Sequence, residues 1–400
     1  MRIYQVNVTG RFSTGIIANQ IHQELLNNGH ESRFAFGLGG EVEENRIETN
    51  DLWHQRLDSR FQRYTGIQGV FCKQSTEKII RDIEKYSPDL IHLHNLHGNY
   101  MDWKRFLKFL GEYNVPIVLT LHDCWAFTGG CYHFTVNDCY KWKTCCSNCE
   151  YIKHGSRAEK ELEQKRGLFA SIPSLTIVTV SNWLKSVASD SIFKNREITV
   201  IHNGIDTEIF SPKQTKVIRS KLHCDGQKVL LGVASTWGPG KGMQTWGELA
   251  QILSGEYLIV LVGLNDRQRK ELPHNIIGLP RVQTHEELAE LYSLADVYIN
   301  MSREETFGLP TIEAMACGTP AVVFRSTANP ELIVAGTGVV CDSFDAESVA
   351  NAVTSICAKE KNEYQHICRD YASSNFSMGQ MTYRYLDTYK RILSEDMPDE

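Results

Sequence analysis

The sequence predicts an α/β protein of two Rossmann-like domains, each a parallel sheet covered by helices, and three observations predict it. Short apolar runs alternate with segments of helical spacing along the whole chain. The alternation restarts after a polar stretch near the middle, Asp206–Gln227. The length of 400 residues exceeds one ordinary α/β domain and suits two of about 200.

The elements follow in order. Arg2–Val8 reads as a first strand, and the polar loop from Thr9 to Gly15 leads into a helix over Ile16–Asn28, with apolar Ile17, Ile21 and Leu25 on one face and Gly29 as its stop. Leu90–Leu93, Ile117–Leu121, Leu175–Val180 and Ile198–Ile201 are apolar runs of the length of buried parallel strands. The second series is Lys228–Val233, a glycine-rich loop, a helix from about Gly242, then strands at Tyr257–Val262, Asn275–Gly278, Asp296–Asn300 and Pro320–Phe324. Ala346–Cys357 and Met378–Ile392 read as closing helices. The domains are therefore set at residues 1–202 and 203–375, with 376–400 a helix crossing back to the first domain. The irregular region is 124–155, rich in cysteine and aromatic residues and longer than a normal connection, as functional or stapled loops are.

Net charge of −6 disfavours nucleic acid as a partner. Residues 1–200 carry 24 Lys/Arg against 22 Asp/Glu and residues 201–400 carry 18 against 26, so the first half is the one suited to rest near an anionic membrane surface. No stretch approaches the roughly 20 apolar residues of a membrane helix, and the first residues lack the sections of a signal peptide. The expected location is the cytosol, including the inner face of the membrane.

The strongest motif is Arg303–Pro320, with Glu305, Phe307, Gly308, Leu309, Glu313 and Gly318. It follows a strand and opens a helix. Ligands of open α/β sheets bind at the carboxyl ends of strands, and a helix N-terminus there offers N–H groups and a positive dipole end to phosphate. Glu313 lies about two helical turns beyond Glu305, and paired carboxylates suit the vicinal hydroxyls of a sugar.

This stretch resembles the E-x₇-E signature of family 4 retaining glycosyltransferases of the GT-B fold. Other segments carry the likeness over nearly the whole chain: Asn203-Gly204-Ile205-Asp206 at the interdomain linker, Ser13–Ile17 after the first strand, Thr120-Leu121-His122-Asp123 at a strand end, and Pro330-Glu331. Leu93–Gly98 and His122–Cys131 are similar to the group that builds colanic acid and other surface polysaccharides. The resemblance implies two domains facing each other across a cleft and a hexosyltransferase-like reaction. A sugar passes from a nucleoside diphosphate sugar, UDP- or GDP-linked, to a hydroxyl of a sugar or lipid-linked glycan, with retention and no metal in catalysis. It maps Glu305 to the donor sugar, Glu313 to the ribose, the amides of Phe307, Gly308 and Leu309 to the sugar and diphosphate, Gly15 to the diphosphate loop and His122 to the reacting sugar.

Gly232–Gly242 is the loop after the first strand of the second domain, and Lys241 at that turn is placed to neutralise a diphosphate leaving group. The loop is neither a Walker A nor a dinucleotide glycine pattern. The family pairs this lysine with an arginine five residues earlier; the position is Thr236 here. Thr236 brings no charge, which puts the full phosphate clamp in doubt and leaves Arg303, Arg325 and Arg281 as candidates to compensate. The departure motivates a second reading, an inactive binder of sugar nucleotides, and another GT-B enzyme such as an epimerase is a separate alternative.

Cys131, Cys139, Cys146 and Cys149 supply four thiols, two of them in a C-x₂-C knuckle. Structural zinc takes such a set and would staple the long loop. The spacing is not that of a standard finger; packed free thiols and disulfides are the alternatives, and Cys145 and His133 are substitute ligands. His92, His94 and His97 cluster at another strand end and are assigned no metal.

Overall fold

A computed structural model describes residues 1–11, 14–50, 52–150, 155–253 and 255–395. The chain divides into two compact units, Met1–His202 with Met381–Glu400, and Asn203–Gln380.

The first unit is built on β1 (Arg2–Thr9), α1 (Thr14–Asn27), β2 (Glu31–Leu38), β3 (Arg46–Glu48), α2 (Leu52–Thr65), α3 (Lys73–Tyr86), β4 (Leu90–Leu93), α4 (Trp103–Glu112), β5 (Ile117–Leu121), α5 (Ala158–Ala170), β6 (Leu175–Thr179), α6 (Asn182–Ser189) and β7 (Ile198–Val200). All seven strands are parallel, in the order β3-β2-β1-β4-β5-β6-β7. Leu90–Leu93, Ile117–Leu121 and Leu175–Thr179 are buried at every residue, which is why they read as largely apolar runs. Register is set in the centre by Ile3, opposite Ser32 on one side and Leu90 on the other.

The second unit comprises α7 (Lys216–Lys221), β8 (Lys228–Val233), α8 (Met243–Ile252), β9 (Tyr257–Val262), α9 (Asp266–Lys270), β10 (Ile276–Leu279), α10 (His285–Leu294), β11 (Val297–Asn300), α11 (Leu309–Ala316), β12 (Ala321–Phe324), β13 (Gly338–Cys341), α12 (Ala346–Cys357) and α13 (Lys361–Phe376). Its six parallel strands run β10-β9-β8-β11-β12-β13. Leu230, Trp246, Leu261, Ile299, Val322, Val349 and Val353 belong to one core cluster between strands and helices. The helices are capped by sequence: the Asp345 carboxylate accepts from Ser348 N at 2.7 Å to start α12, and Thr284 accepts from Glu287 N at 3.2 Å to start α10.

The last helix, α14 (Met378–Glu395), starts in the second unit and from Met381 on belongs to the first. There the Tyr389 hydroxyl meets His92 Nδ1 at 2.6 Å, and the Tyr385 hydroxyl meets Thr120 Oγ1 at 3.1 Å, all of them buried. The region 124–150 holds two single 3-10 turns, Trp125–Phe127 and Lys141–Lys143, and no strand. Residues 151–154 of that loop, Ser13 of the first glycine loop and the last five residues of the C-terminal segment lie outside the described residues.

Candidate functional site

In each sheet the chain runs outward from a central strand in both directions, so two neighbouring strands send their following loops to opposite sides and leave a crevice at their carboxyl ends. In the second unit these strands are β8 and β11. The loop after β8 carries Thr236 and Lys241; the loop after β11 carries Glu305, Phe307 and Gly308. Both halves of the strongest sequence signal therefore meet at one switch point.

Lys241 sits in a 3-10 turn, Pro239–Lys241, held by its own N–H to Gly238 O at 3.0 Å. Gly242 follows at φ 72, and a Cβ there would stand 2.5 Å from Met301 Cβ. The position thus requires glycine twice over, for its left-handed backbone and for the close passage of the β11 loop. That passage is fastened by Arg303 N donating to Gly240 O at 3.1 Å. Lys241 Nζ then lies 2.5 Å from Glu305 Oε1 and 3.1 Å from Ser302 Oγ.

Glu305 is held by its backbone: its N–H donates to Thr327 Oγ1 at 2.9 Å, and its carbonyl accepts from Ala328 N at 3.2 Å. Asn329 Nδ2 donates to Ser302 O at 3.2 Å, and Ser302 N to Asn300 Oδ1 at 3.0 Å. The loop after β12 therefore braces the loop after β11. Ser302, Thr327, Asn300 and Asn329 were not read from the sequence; the only signal was their closeness to the ends of β11 and β12.

Gly308, at φ 104, starts α11, with Pro310 in the first turn, where its missing N–H costs no helical bond. The Phe307 side chain is buried and packs on Phe376 with ring centres 5.8 Å apart. Glu313 Oε2 accepts from the Tyr292 hydroxyl at 2.9 Å. Burial raises its carboxyl to about 7, against the lowering effect of that bond. Burial and then the charges of Glu305 and Glu313 together push Tyr298 well above a normal phenol, so the two carboxylates act on one neighbourhood.

Thr236 is exposed on its loop. Arg325 is engaged in an ion pair with Asp342, and Arg303 lies 5.3 Å above the Phe344 ring. Arg303 also lines a cavity of about 700 Å³ with Gly238, Gly242, Met301 and Phe344. Of the three arginines weighed as replacements for the missing cation, it is the one that borders the glycine loop.

In the first unit the corresponding switch lies between β1 and β4. Gly15 opens α1, and a Cβ there would stand 2.6 Å from Thr9 O. Its smallness lets the helix close onto the strand end. His122 follows β5, and its Nε2 lies 3.0 Å from His94 Nδ1 with the rings stacked at 21°. Burial lowers His122 to about 4 and His92 to about 3. His92 Nε2 meets Thr120 Oγ1 at 2.8 Å, and His97 Nε2 meets Asp123 Oδ2 at 2.8 Å. These histidines are committed to one another and to hydroxyls and a carboxylate. Across the chain, no group of three or more His, Cys, Asp or Glu among the described residues already stands in metal-holding geometry. The four cysteines 131, 139, 146 and 149 line one small cavity together with Trp142.

A doubly wound domain whose switch point carries a lysine, a carboxylate and a glycine-started helix has groups that can hold an anionic, hydroxyl-rich ligand. The sequence matches the Glycosyltransferase Family 4 model over residues 15–209 and the Glycosyl transferases group 1 model over residues 215–374. The two matches cover both units, and the chain belongs to this glycosyltransferase family. It is 24% identical over 371 residues to a protein assigned to colanic acid biosynthesis as glycosyl transferase WcaC of Escherichia coli (strain K12), covering 83% of this chain and 85% of that protein. It is 21% identical to N-acetyl-alpha-D-glucosaminyl L-malate synthase of Bacillus anthracis, over 96% and 95% of the two chains. Among solved structures, sucrose-phosphate synthase from Thermosynechococcus elongatus superposes with a TM-score of 0.75 at 18% identity, over 99% of this chain and 100% of that one. Anabaena HepE in complex with UDP-glucose superposes with 0.67 at 15% identity, over 98% and 100%. WaaG, a glycosyltransferase involved in lipopolysaccharide biosynthesis, gives 0.65 at 14%, over 96% and 99%. These likenesses establish a GT-B fold of two parallel-sheet domains.

Proposed function

We propose that the chain transfers a sugar from a nucleoside diphosphate sugar to a hydroxyl of a sugar or lipid-linked glycan, with retention, in the assembly of a cell-surface polysaccharide or lipopolysaccharide. The observation that carries this reading is the Lys241–Glu305 pair at the β8/β11 switch point. Without donor, ammonium and carboxylate satisfy each other. With donor, Lys241 turns to the diphosphate, whose negative charge grows as the glycosidic bond breaks, and Glu305 is released to a sugar hydroxyl. Preorganised charge aimed at the leaving group is often the largest catalytic contribution. On this reading Glu313, in the middle of α11, takes the ribose, and the α11 N-terminus takes the phosphates. WcaC, WaaG and HepE, by their named roles and ligand, favour surface glycans as products and a nucleotide-linked sugar as donor. No helix among the described residues is long and apolar enough to cross a membrane; on this reading the protein works in the cytoplasm and meets its lipid-linked acceptor at the membrane face.

The test is a matrix of UDP- and GDP-sugars against glycan acceptors, with products read by mass spectrometry and the new anomeric centre by NMR. Nucleoside diphosphate released only when acceptor is present supports transfer. Tight donor binding with no product for any acceptor supports the inactive binder that Thr236 suggests, and donor isomerised without acceptor supports an epimerase.

A further inference from the structure

The long connection between β5 and α5 holds a cluster that the transfer reaction does not use. Cys131, Cys139, Cys146 and Cys149 come from three separate turns yet line one cavity of about 10 Å³, room for one small guest. None of the four is in a disulfide.

The turns are shaped to deliver them. Cys139 N donates to Phe134 O at 3.1 Å and Cys146 N to Lys141 O at 3.0 Å. Cys146 and Asn148 adopt φ 51 and 46, which winds the C-x₂-C segment into a tight knuckle. Gly155 closes onto that knuckle so nearly that a Cβ there would meet Cys149 O at 1.7 Å.

The surroundings hold N–H donors beside the sulfurs. Gly129 N donates to Cys146 Sγ at 3.3 Å. Trp142 lines the cavity and is 2% exposed, and its Nε1 has no hydrogen-bond partner among the described residues. Lys165 is 1% exposed and donates to Trp125 O at 2.7 Å and Thr128 O at 3.0 Å.

We infer that Cys131, Cys139, Cys146 and Cys149 close on a single zinc ion that staples this loop. Each thiol gives its proton to solvent as its Zn–S bond forms. Four thiolates and one Zn²⁺ leave a charge of −2, which Lys165 and the N–H donors offset; no electron is transferred. Tetrahedral four-thiolate coordination is a closed, structural arrangement with no open position for substrate. The neighbouring Cys145 is not a ligand: its Sγ is engaged by Ser147 Oγ at 3.4 Å. Zinc draws in the four sulfurs from the positions they take around the cavity, and holds the loop whose Tyr132 lies 4.6 Å from the His97 ring.

The experiment is metal analysis of the full chain, purified in reductant and dialysed against zinc and then against buffer. About one equivalent of zinc per chain is expected, falling below about a tenth in Cys139→Ser and Cys149→Ser and staying near one in Cys145→Ser. Should the serine variants not fold, the wild-type chain reconstituted with Co²⁺ decides: intense sulfur-to-cobalt absorption with tetrahedral d–d bands supports the site, and their absence overturns it. No zinc retained by a chain with four titratable thiols, a disulfide among the four, an equivalent of iron in its place, or zinc lost only in Cys145→Ser each overturns it.

Discussion

Lys241 Nζ and Glu305 Oε1 stand 2.5 Å apart although 64 residues separate them in the chain. The pair is partly open to solvent, 36% and 20% exposed at the side chains, so it contributes little to stability. Its consequence is chemical. Lys241→Ala is expected to keep the circular-dichroism spectrum and melt within a few degrees of the parent, while nucleoside diphosphate affinity and turnover fall by about tenfold or more. Lys241→Arg should recover part of the loss. Isothermal titration with UDP and GDP alongside steady-state kinetics checks this; unchanged affinity and rate in Lys241→Ala would refute the role.

Glu313 makes stability depend on pH. Its carboxyl titrates at about 7 in the fold, against 4.5 in an exposed chain, because burial opposes its charge. The folded state therefore holds more protons than the unfolded one between these values, and this carboxyl destabilises the fold increasingly as pH rises from about 4.5 to 7. Glu313→Gln is expected to melt near the parent at pH 4.5 and several degrees higher at pH 8. Calorimetric scans at the two pH values measure it.

The histidines of the first unit act in the opposite direction. Burial lowers His92 to about 3 and His122 to about 4, well under the 6.5 of a free imidazole. Their neutral forms support the fold fully above about 6.5, and the support is lost as pH falls through 6 toward 4, because the unfolded chain takes up the protons first. Hydrogen exchange should show β4 and β5 losing protection on acidification earlier than β8 and β11. Equal loss in both units would count against the assignment.

Gly242 tests the packing of the phosphate loop. Gly242→Ala places a Cβ 2.5 Å from Met301 Cβ on a backbone at φ 72, which costs about 1–3 kcal/mol. A lower melting temperature and weaker nucleotide binding are expected together. Gly238→Ala, with nothing within 4 Å of its Cβ, should be nearly neutral in both measurements.

The buried central strands were legible because a parallel sheet covered on both faces leaves continuous apolar runs; Leu90–Leu93 and Ile117–Leu121 have the boundaries the sequence suggested. β2 was not read, since Arg33 interrupts it and is accommodated by Asp82 of α3, 2.6 Å away, and by the Glu44 carbonyl at 3.2 Å. The motif around Glu305 and Glu313 stood out, but its meeting with Lys241 depends on strand order, which local pattern does not encode. Tyr292, Ser302 and Thr327 are ordinary residues until the fold places them beside the carboxylates. Lys165 sits in a helix that reads as charged and solvated, and its burial depends on the carbonyls of a loop more than 30 residues earlier.

The path of α14 has a consequence for biosynthesis. Tyr385 and Tyr389 fill the same interior as His92 and Thr120, so the amino-terminal unit lacks part of its core until these two residues have been made. The unit made second, Asn203–Gln380, is complete in sequence before the unit made first. A nascent chain that has reached Gln380 holds the whole sequence of the second unit and a first unit still without the Tyr385 and Tyr389 side chains of its core.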